Sequence, residues 1–440
     1  MRSAFLFLLL LLNTTLSAQT PESRARLSGQ LLERLQEKNW TGAVRLFDAS
    51  LAQKLDSVQL AMIWQGLQIS HGPLLSIGTA SEKTAASRLF HYRRLDFEKT
   101  AMRMELEFNA QQQISSLRMQ ALTDEELYLP PPYEHANNYH EFSMRVRHDT
   151  VVLPAILTIP KSCVNCPAVL LIHDLGPQDR DHSIGPTRMF RDMAIGLANQ
   201  GIISLRYDKR SFRYGPELME DLRVLKIENE ILEDARAALA LFRGVQEVDT
   251  HNISIIGLGM GGMLAGEIAA SAGIPIQAIV SIGSSPRPLA QQLLDQYIQL
   301  LSSKMSFGEM QQQVKALEKQ SKLATNPKLD PNTSPDLLPL QLPAPYWLRL
   351  QQFDPAAGYW RSNARLLFLR GENDFQSSQE DLRLWEMRLL GHSKSNFESL
   401  PGLNHLLMPD AGQPAAEAYT KPAHLSPEAI SRISSFLLGP

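Results

Sequence analysis

Residues 253 to 262 read I-S-I-I-G-L-G-M-G-G, an apolar run entering a glycine-rich turn. Two chemistries use such a turn. In one, Gly257, Gly259 and Gly262 fit G-x-G-x-x-G and cradle a dinucleotide pyrophosphate at a helix N-terminus. That chemistry wants an acid at the end of the next strand, to hold a ribose hydroxyl, and Val280-Ser281-Ile282-Gly283-Ser284 offers none. Such a turn also usually follows the first strand of its domain, whereas several apolar runs precede this one. In the other chemistry, G-x-S-x-G makes a sharp strand-to-helix elbow that lifts a nucleophilic serine above a sheet. Gly257 and Gly261 hold the flanking positions, but the central residue is Gly259, which has no hydroxyl. What surrounds it decides between the two. Elbow enzymes carry nucleophile, acid and histidine in that order along the chain. Here the run Leu366 to Leu369 leads to Asp374, and a run ending near Leu400 leads to His405. Upstream, the run ending at Ile172 leads to His173-Asp174-Leu175-Gly176, where backbone N–H groups for a developing oxyanion belong.

Residues in that order can converge only if the runs that carry them lie side by side. From a proline-rich joint at Leu129 to Tyr133 onward, the pattern is that of an α/β sheet. Tyr139 to Val146 and Val151 to Ile159 suggest a hairpin turning at His148-Asp149. Short apolar runs follow at Ala168 to Ile172, Ile202 to Leu205, Ile253 to Ile256 and Ala278 to Ile282, then at Leu366 to Leu369 and Phe397 to Leu400. Helical patterns separate most of them, notably Ile227 to Phe242 and Met263 to Ala270, which implies a mostly parallel sheet covered on both faces. Between about 286 and 363 the alternation stops, and helical and proline-rich segments suggest a cap over the sheet's C-terminal edge.

The expected organisation is a leader at 1–18, a small α+β domain at 19–128 and an α/β domain at 129–440. In the small domain Leu27, Leu31 and Leu35 mark a helix. Val44, Leu46, Phe47 and Leu51 mark a second, and Leu60, Ile63, Trp64 and Leu67 a third. Met102, Met104, Leu106 and Phe108 alternate with charged residues as a half-buried strand does, and a strand around Ser87 to Phe97 could pair with it. The leader reading rests on Met1-Arg2, the apolar run Ala4 to Leu12 and a polar stretch ending at Ala18. That run is shorter than the roughly 20 residues a membrane span needs. It predicts an exported chain, periplasmic or secreted, with no membrane span after cleavage.

With 43 basic and 46 acidic residues and a pI near 6.4, the chain lacks the basic footprint of a nucleic-acid binder. Its 44% apolar content is that of a packed protein. The two cysteines, Cys163 and Cys166, precede a strand rather than open a helix, so a disulfide is the expectation and a redox pair is not. A single pair cannot make a structural zinc site, and no metal or other cofactor is expected.

From Tyr139 to its end the chain resembles the exported bacterial α/β hydrolases of the serine-aminopeptidase and esterase type. The matching stations are H-D-L-G-P-Q-D-R-D at 173–181, L-R-Y-D-K-R at 205–210, G-L-G-M-G-G-M at 257–263, then Gly371 to Asp374 and Asn404-His405. The segment before it resembles the nuclear-transport-factor type of α+β domain. The resemblance implies the α/β-hydrolase fold, with Asp374 orienting His405 as general base and the N–H groups of Met260 and Leu175 forming the oxyanion hole. It implies a small ester, amide or peptide-like ligand. The departures fall on the machinery: Gly259 stands for the serine, Leu258 for the usual histidine, and Asp174 for a glycine in the oxyanion loop. The polar run Gln178 to Asp181, with Tyr207 to Arg210, reads as a network fixing two loops. Three readings follow: a relative with impaired catalysis that keeps a ligand pocket; a residual hydrolase using water activated by His405, or Ser254, Ser284 or Ser285; and a structural or interaction protein.

Overall fold

The computed structural model describes residues 20–85, 87–215, 225–302, 305–412, 417 and 419–439. The expected leader at 1–18 lies outside the described residues. The chain divides into two compact units, the first ending at Thr123 and the second running from Asp124 to the C-terminus. That boundary falls ahead of the proline-rich joint because the joint is tied into the second unit. Tyr128 donates to Asp192 at 2.7 Å, and Tyr133 donates to the Leu425 carbonyl at 3.0 Å.

The first unit packs helices α1 (Pro21–Gln36), α2 (Trp40–Val44), α3 (Ala49–Lys54) and α4 (Ser57–His71) with a four-stranded antiparallel sheet. The strands β1 (Leu74–Ala85), β2 (Arg88–Phe97), β3 (Ala101–Phe108) and β4 (Ile114–Ala121) lie in chain order. Leu31, Leu32 and Leu35 of α1 meet Leu60, Trp64, Leu95, Met104 and Leu106 in one core. The single second helix expected from Val44 to Leu51 is two short ones. Phe47 forms a β-bridge with Ile114, and Asp48 caps the new start by accepting from the Leu51 N–H at 2.8 Å. Ile63 is exposed rather than part of α4's buried stripe.

The second unit is built on an eight-stranded sheet: β5 (Tyr139–His148), β6 (Val151–Pro160), β7 (Cys166–Ile172), β8 (Ile203–Tyr207), β9 (Val248–Leu258), β10 (Ala278–Ile282), β11 (Arg365–Gly371) and β12 (Ser395–Leu400). Their spatial order is β12-β11-β10-β9-β7-β8-β6-β5. The β5–β6 and β6–β8 pairs are antiparallel, and every other pair is parallel. Successive residues feed opposite cores: Ala168, Leu170 and Ile172 join one, Val169 and Leu171 the other, which is why these strands read as unbroken apolar runs. The parallel strands end level, with Gly257 opposite both Ile172 and Ser281, Ile282 opposite Leu369, and Gly371 opposite Leu400. Whatever follows each strand therefore meets at one edge.

The segment expected as a cap contains helices Leu289–Ser302, Phe307–Ala324, Ala344–Gln351 and Pro355–Ser362. The last is a sheet-covering helix and not a lid. It packs on the helix Met260–Ala270, where Gly266 and Gly358 leave no room for a side chain between the backbones. Tyr359, fully buried there, donates to the Gly262 carbonyl. Cys163 and Cys166 form a disulfide at the start of β7.

Candidate active site

The elbow has the expected backbone. Gly259 follows β9 at φ +48° and ψ −112°, a left-handed conformation that side chains adopt only under strain, and the helix Met260–Ala270 starts directly after it. The flanking glycines are required by close approach. A Cβ at Gly257 would lie 2.5 Å from the Gly261 backbone, and one at Gly261 would lie 2.5 Å from the Ile172 carbonyl oxygen.

The structure brings Asp374 and His405 together. Asp374, after β11, accepts from the backbone N–H groups of Gln376 at 2.7 Å and Ser377 at 3.0 Å with Oδ1. Its Oδ2 stands 2.8 Å from His405 Nδ1. Asn404 shapes the turn that carries His405, accepting from the N–H groups of Leu406 and Met408 with its side-chain oxygen. Gly283, after β10, has φ +56° and lets the imidazole lie close: a Cβ there would be 2.6 Å from His405. The histidine is 2% exposed, and its Nε2 has no hydrogen-bond partner.

The nucleophile corner differs from the expectation. Asp174 does not turn away from it. Its Oδ1 accepts from the Met260 N–H at 2.7 Å, and the Leu175 N–H also supports the carboxylate. Of the two donors expected to hold an oxyanion, the Met260 N–H is thus engaged by this side chain, while the Leu175 N–H helps to stabilise its charge. Its Oδ2 lies 3.5 Å from His405 Nε2, an ion-pair distance too long for a good hydrogen bond. A Cβ built on Gly259 would land on the carboxylate of Asp174, well inside contact distance of Oδ1 and Cγ. Gly259 and Asp174 are therefore complementary: the absence of one side chain is the space of the other.

This arrangement sets the protonation. Burial alone would push the His405 imidazole down, but Asp374 and Asp174 on its two nitrogen sides overcome that and raise its pKa to about 10. Burial likewise opposes the charge on Asp174, but His405 and the two backbone N–H groups hold its carboxyl below the usual range. His405 is therefore held protonated at neutral pH, with Asp374 on its Nδ1 side and Asp174 on its Nε2 side.

Sequence reasoning treated Asp174 as a defect. The one available signal was that a carboxylate stood where the resembled proteins have glycine. Lys209, read as part of a loop-fixing network, donates to the Asp174 backbone carbonyl at 2.9 Å and pairs with Glu230 at 3.4 Å. Arg206 joins Asp181 and Glu141, and Asp208 accepts from the Arg180 N–H. The alternative serines are engaged elsewhere. Ser284 shares a hydrogen bond with Ser281 at 2.6 Å, and Ser285 donates to Asp381 at 2.5 Å. Ser254 is buried within β9, opposite Val169 and Ala278 and short of the strand end.

A cavity of about 240 Å³ opens on Asp174, Gly259 and His405, walled by Leu175, Met260, Met263, Leu289 and Leu293 with Gln292 and Gln296. Among the described residues no cluster of His, Cys, Asp and Glu has the makings of a metal site, and no helix is long and apolar enough to cross a membrane.

The sheet order, the level strand ends, the elbow and the Asp374–His405 pair define an α/β-hydrolase. Residues 153–296 match the dienelactone hydrolase family. Over 407 residues the chain is 27% identical to Esterase EstD of Thermotoga maritima, covering 92% of this chain and 93% of that one. Among solved structures it is similar to Est1E from Butyrivibrio proteoclasticus (16% identity, TM-score 0.43, 67% of this chain and 98% of that one). It is also similar to a dienelactone hydrolase from Anabaena variabilis (17%, TM-score 0.40, 68% and 98%). The chain thus has the α/β-hydrolase fold and is similar in sequence to an esterase.

Proposed function

We propose that this chain is an exported α/β-hydrolase in which serine acylation has been given up, while the pocket is kept for a small neutral ester-, amide- or peptide-like ligand. The observation that carries the reading is the carboxylate of Asp174 in the place of the nucleophile's Cβ, bonded to the Met260 N–H of the oxyanion site. A carbonyl substrate would find neither a hydroxyl to attack it nor a free Met260 N–H to hold its oxygen. His405, held as imidazolium, has no lone pair on Nε2 with which to activate one.

Restoring the serine alone therefore leaves the site blocked. Gly259→Ser should remain inactive on short p-nitrophenyl esters and aminoacyl arylamides, as should Asp174→Gly. Gly259→Ser combined with Asp174→Gly should gain activity, because the second change vacates the oxyanion hole and frees His405 Nε2. If the wild-type chain already turns over these substrates, or Gly259→Ser alone matches the double variant, the reading fails. Small ester and amide analogues should raise the melting temperature of the wild-type chain.

A further inference from the structure

The pocket places a reactive group, and not merely a plug, next to its cavity. Asp174 Oδ1 is fixed on the Met260 N–H, its Oδ2 is 3.5 Å from His405 Nε2, and about one-fifth of the side chain's surface is open. His405 Nε2, on a ring that is 98% buried, is without a hydrogen-bond partner beside the same cavity. Building on the reading that Asp174 stands in for the missing nucleophile, we propose that its carboxylate is itself a nucleophile toward a small neutral epoxide, which the site converts to a diol through an ester on Asp174.

Three features select this substrate class. A carboxylate that attacks an ester carbonyl is a better leaving group than the alkoxide, so the adduct reverts. Attack on a saturated carbon of a strained ring has no such return. The ring oxygen needs a proton as it leaves, and the imidazolium of His405 carries one next to the attacking oxygen. The carboxylate of Asp174 lies at the cavity itself and would repel an anionic substrate there, and the walls from Leu175, Met260, Leu289 and Leu293 suit a short apolar substituent.

The steps balance. Asp174 Oδ2 forms a C–O bond to a ring carbon, the ring C–O bond breaks, and its oxygen takes the Nε2 proton. Asp174 becomes a neutral hydroxyalkyl ester and His405 a neutral base. Esterification also removes one of the two negative charges that held the imidazole protonated, so His405 is suited to take a proton from water. The resulting hydroxide adds to Cγ of Asp174, with the negative oxygen already on the Met260 N–H. Collapse breaks the ester bond, and the departing oxygen takes the proton of the hydroxyl just added to Cγ, directly or relayed through His405. The diol leaves, and the carboxylate and imidazolium are restored, with one water consumed.

The test uses the full chain with styrene oxide, in ordinary and in heavy-oxygen water. The proposal expects diol to form, and heavy oxygen to accumulate in the carboxyl of Asp174 over many turnovers, located by fragmenting the peptide that contains it. Asp174→Asn should reduce diol formation to the uncatalysed background while still unfolding in a single cooperative melting transition. The labelling needs no variant, so a misfolded Asp174→Asn would not spoil it. Absence of diol, diol with no label at Asp174, or undiminished diol from Asp174→Asn would each overturn the proposal. None of these outcomes touches the ester assays, on which the loss of serine acylation stands or falls separately.

Discussion

Each unit of this molecule buries a histidine against a carboxylate, and the two are set up in opposite ways. In the first unit His91 is 1% exposed, with Nδ1 3.1 Å from Glu82 and Nε2 2.9 Å from the Ser28 hydroxyl. Glu82 is also gripped by Arg24 in a two-pronged pair, and Arg93 donates to Ser28. Both ring nitrogens are satisfied. Burial, helped by Arg93 and Arg24, lowers its pKa against the pull of Glu82, so it sits neutral. His405 is as deeply buried but has carboxyl groups on both sides, and its Nε2 has no hydrogen-bond partner beside the cavity. A closed network of this kind fixes a fold. An open one, with charge on the ring and a vacant nitrogen, has the means to move a proton.

The largest effect should come from breaking the closed network. Glu82→Ala removes the carboxylate that grips the Arg24 guanidinium, only 7% exposed, in two prongs, and should destabilise the first unit by about 3–5 kcal/mol in denaturant melts. A loss under about 1 kcal/mol would mean that water replaces the carboxylate easily.

Next comes the fit of Gly259 to Asp174. Gly259→Ala should cost roughly 2–4 kcal/mol, from a left-handed φ and from collision with the carboxylate. In an Asp174→Gly background the collision disappears, so a double-mutant cycle should show coupling of about 0.5–3 kcal/mol. Additive effects would show that the carboxylate does not occupy that space.

A smaller but more diagnostic change is electrostatic. Asp174→Asn removes one of the two carboxylates facing His405, so the ring's titration, followed by NMR, should move down from about 10 by at least roughly one unit, about 1.4 kcal/mol. An unchanged titration would assign the whole shift to Asp374.

The two histidines should also bend stability with pH in opposite senses. His405 has a folded pKa above its unfolded value of about 6.5. Its contribution is complete below that pH and is lost as pH climbs toward about 10. His91 has a folded pKa below that value, so its unit loses stability as pH falls beneath about 6.5. Thermal melts of each unit across pH 5 to 10 would show both slopes, and slopes of the same sign would contradict the contrast.

Much of this was legible in the chain. The unbroken apolar runs at Ala168 to Ile172 and Ala278 to Ile282 could be read as doubly covered strands, because parallel strands bury both faces. Asp374 and His405 could be found because strand ends in such a sheet gather at one edge, so residues just beyond them meet whatever their distance along the chain. Other features were not legible. The break of the second helix depends on Phe47 bridging to Ile114, a contact no local pattern encodes. The final helix of the expected cap sits on the elbow helix because Gly266 and Gly358 meet there, and neither glycine announces the other.

The sequence by itself determined the fold, the order of Gly259, Asp374 and His405 along it, and the glycine at 259 where the elbow pattern has serine, all carried by periodicity and by residues close in the chain. Only the tertiary structure decided what that loss means. Asp174 and Met260 lie 86 residues apart, on loops after different strands, and their hydrogen bond exists only because β7 and β9 are neighbours. Whether a carboxylate after β7 points into the elbow or away from it depends on a few ångströms of packing, to which local propensity is blind. That packing turned an apparent defect in the oxyanion loop into the side chain that fills the vacancy.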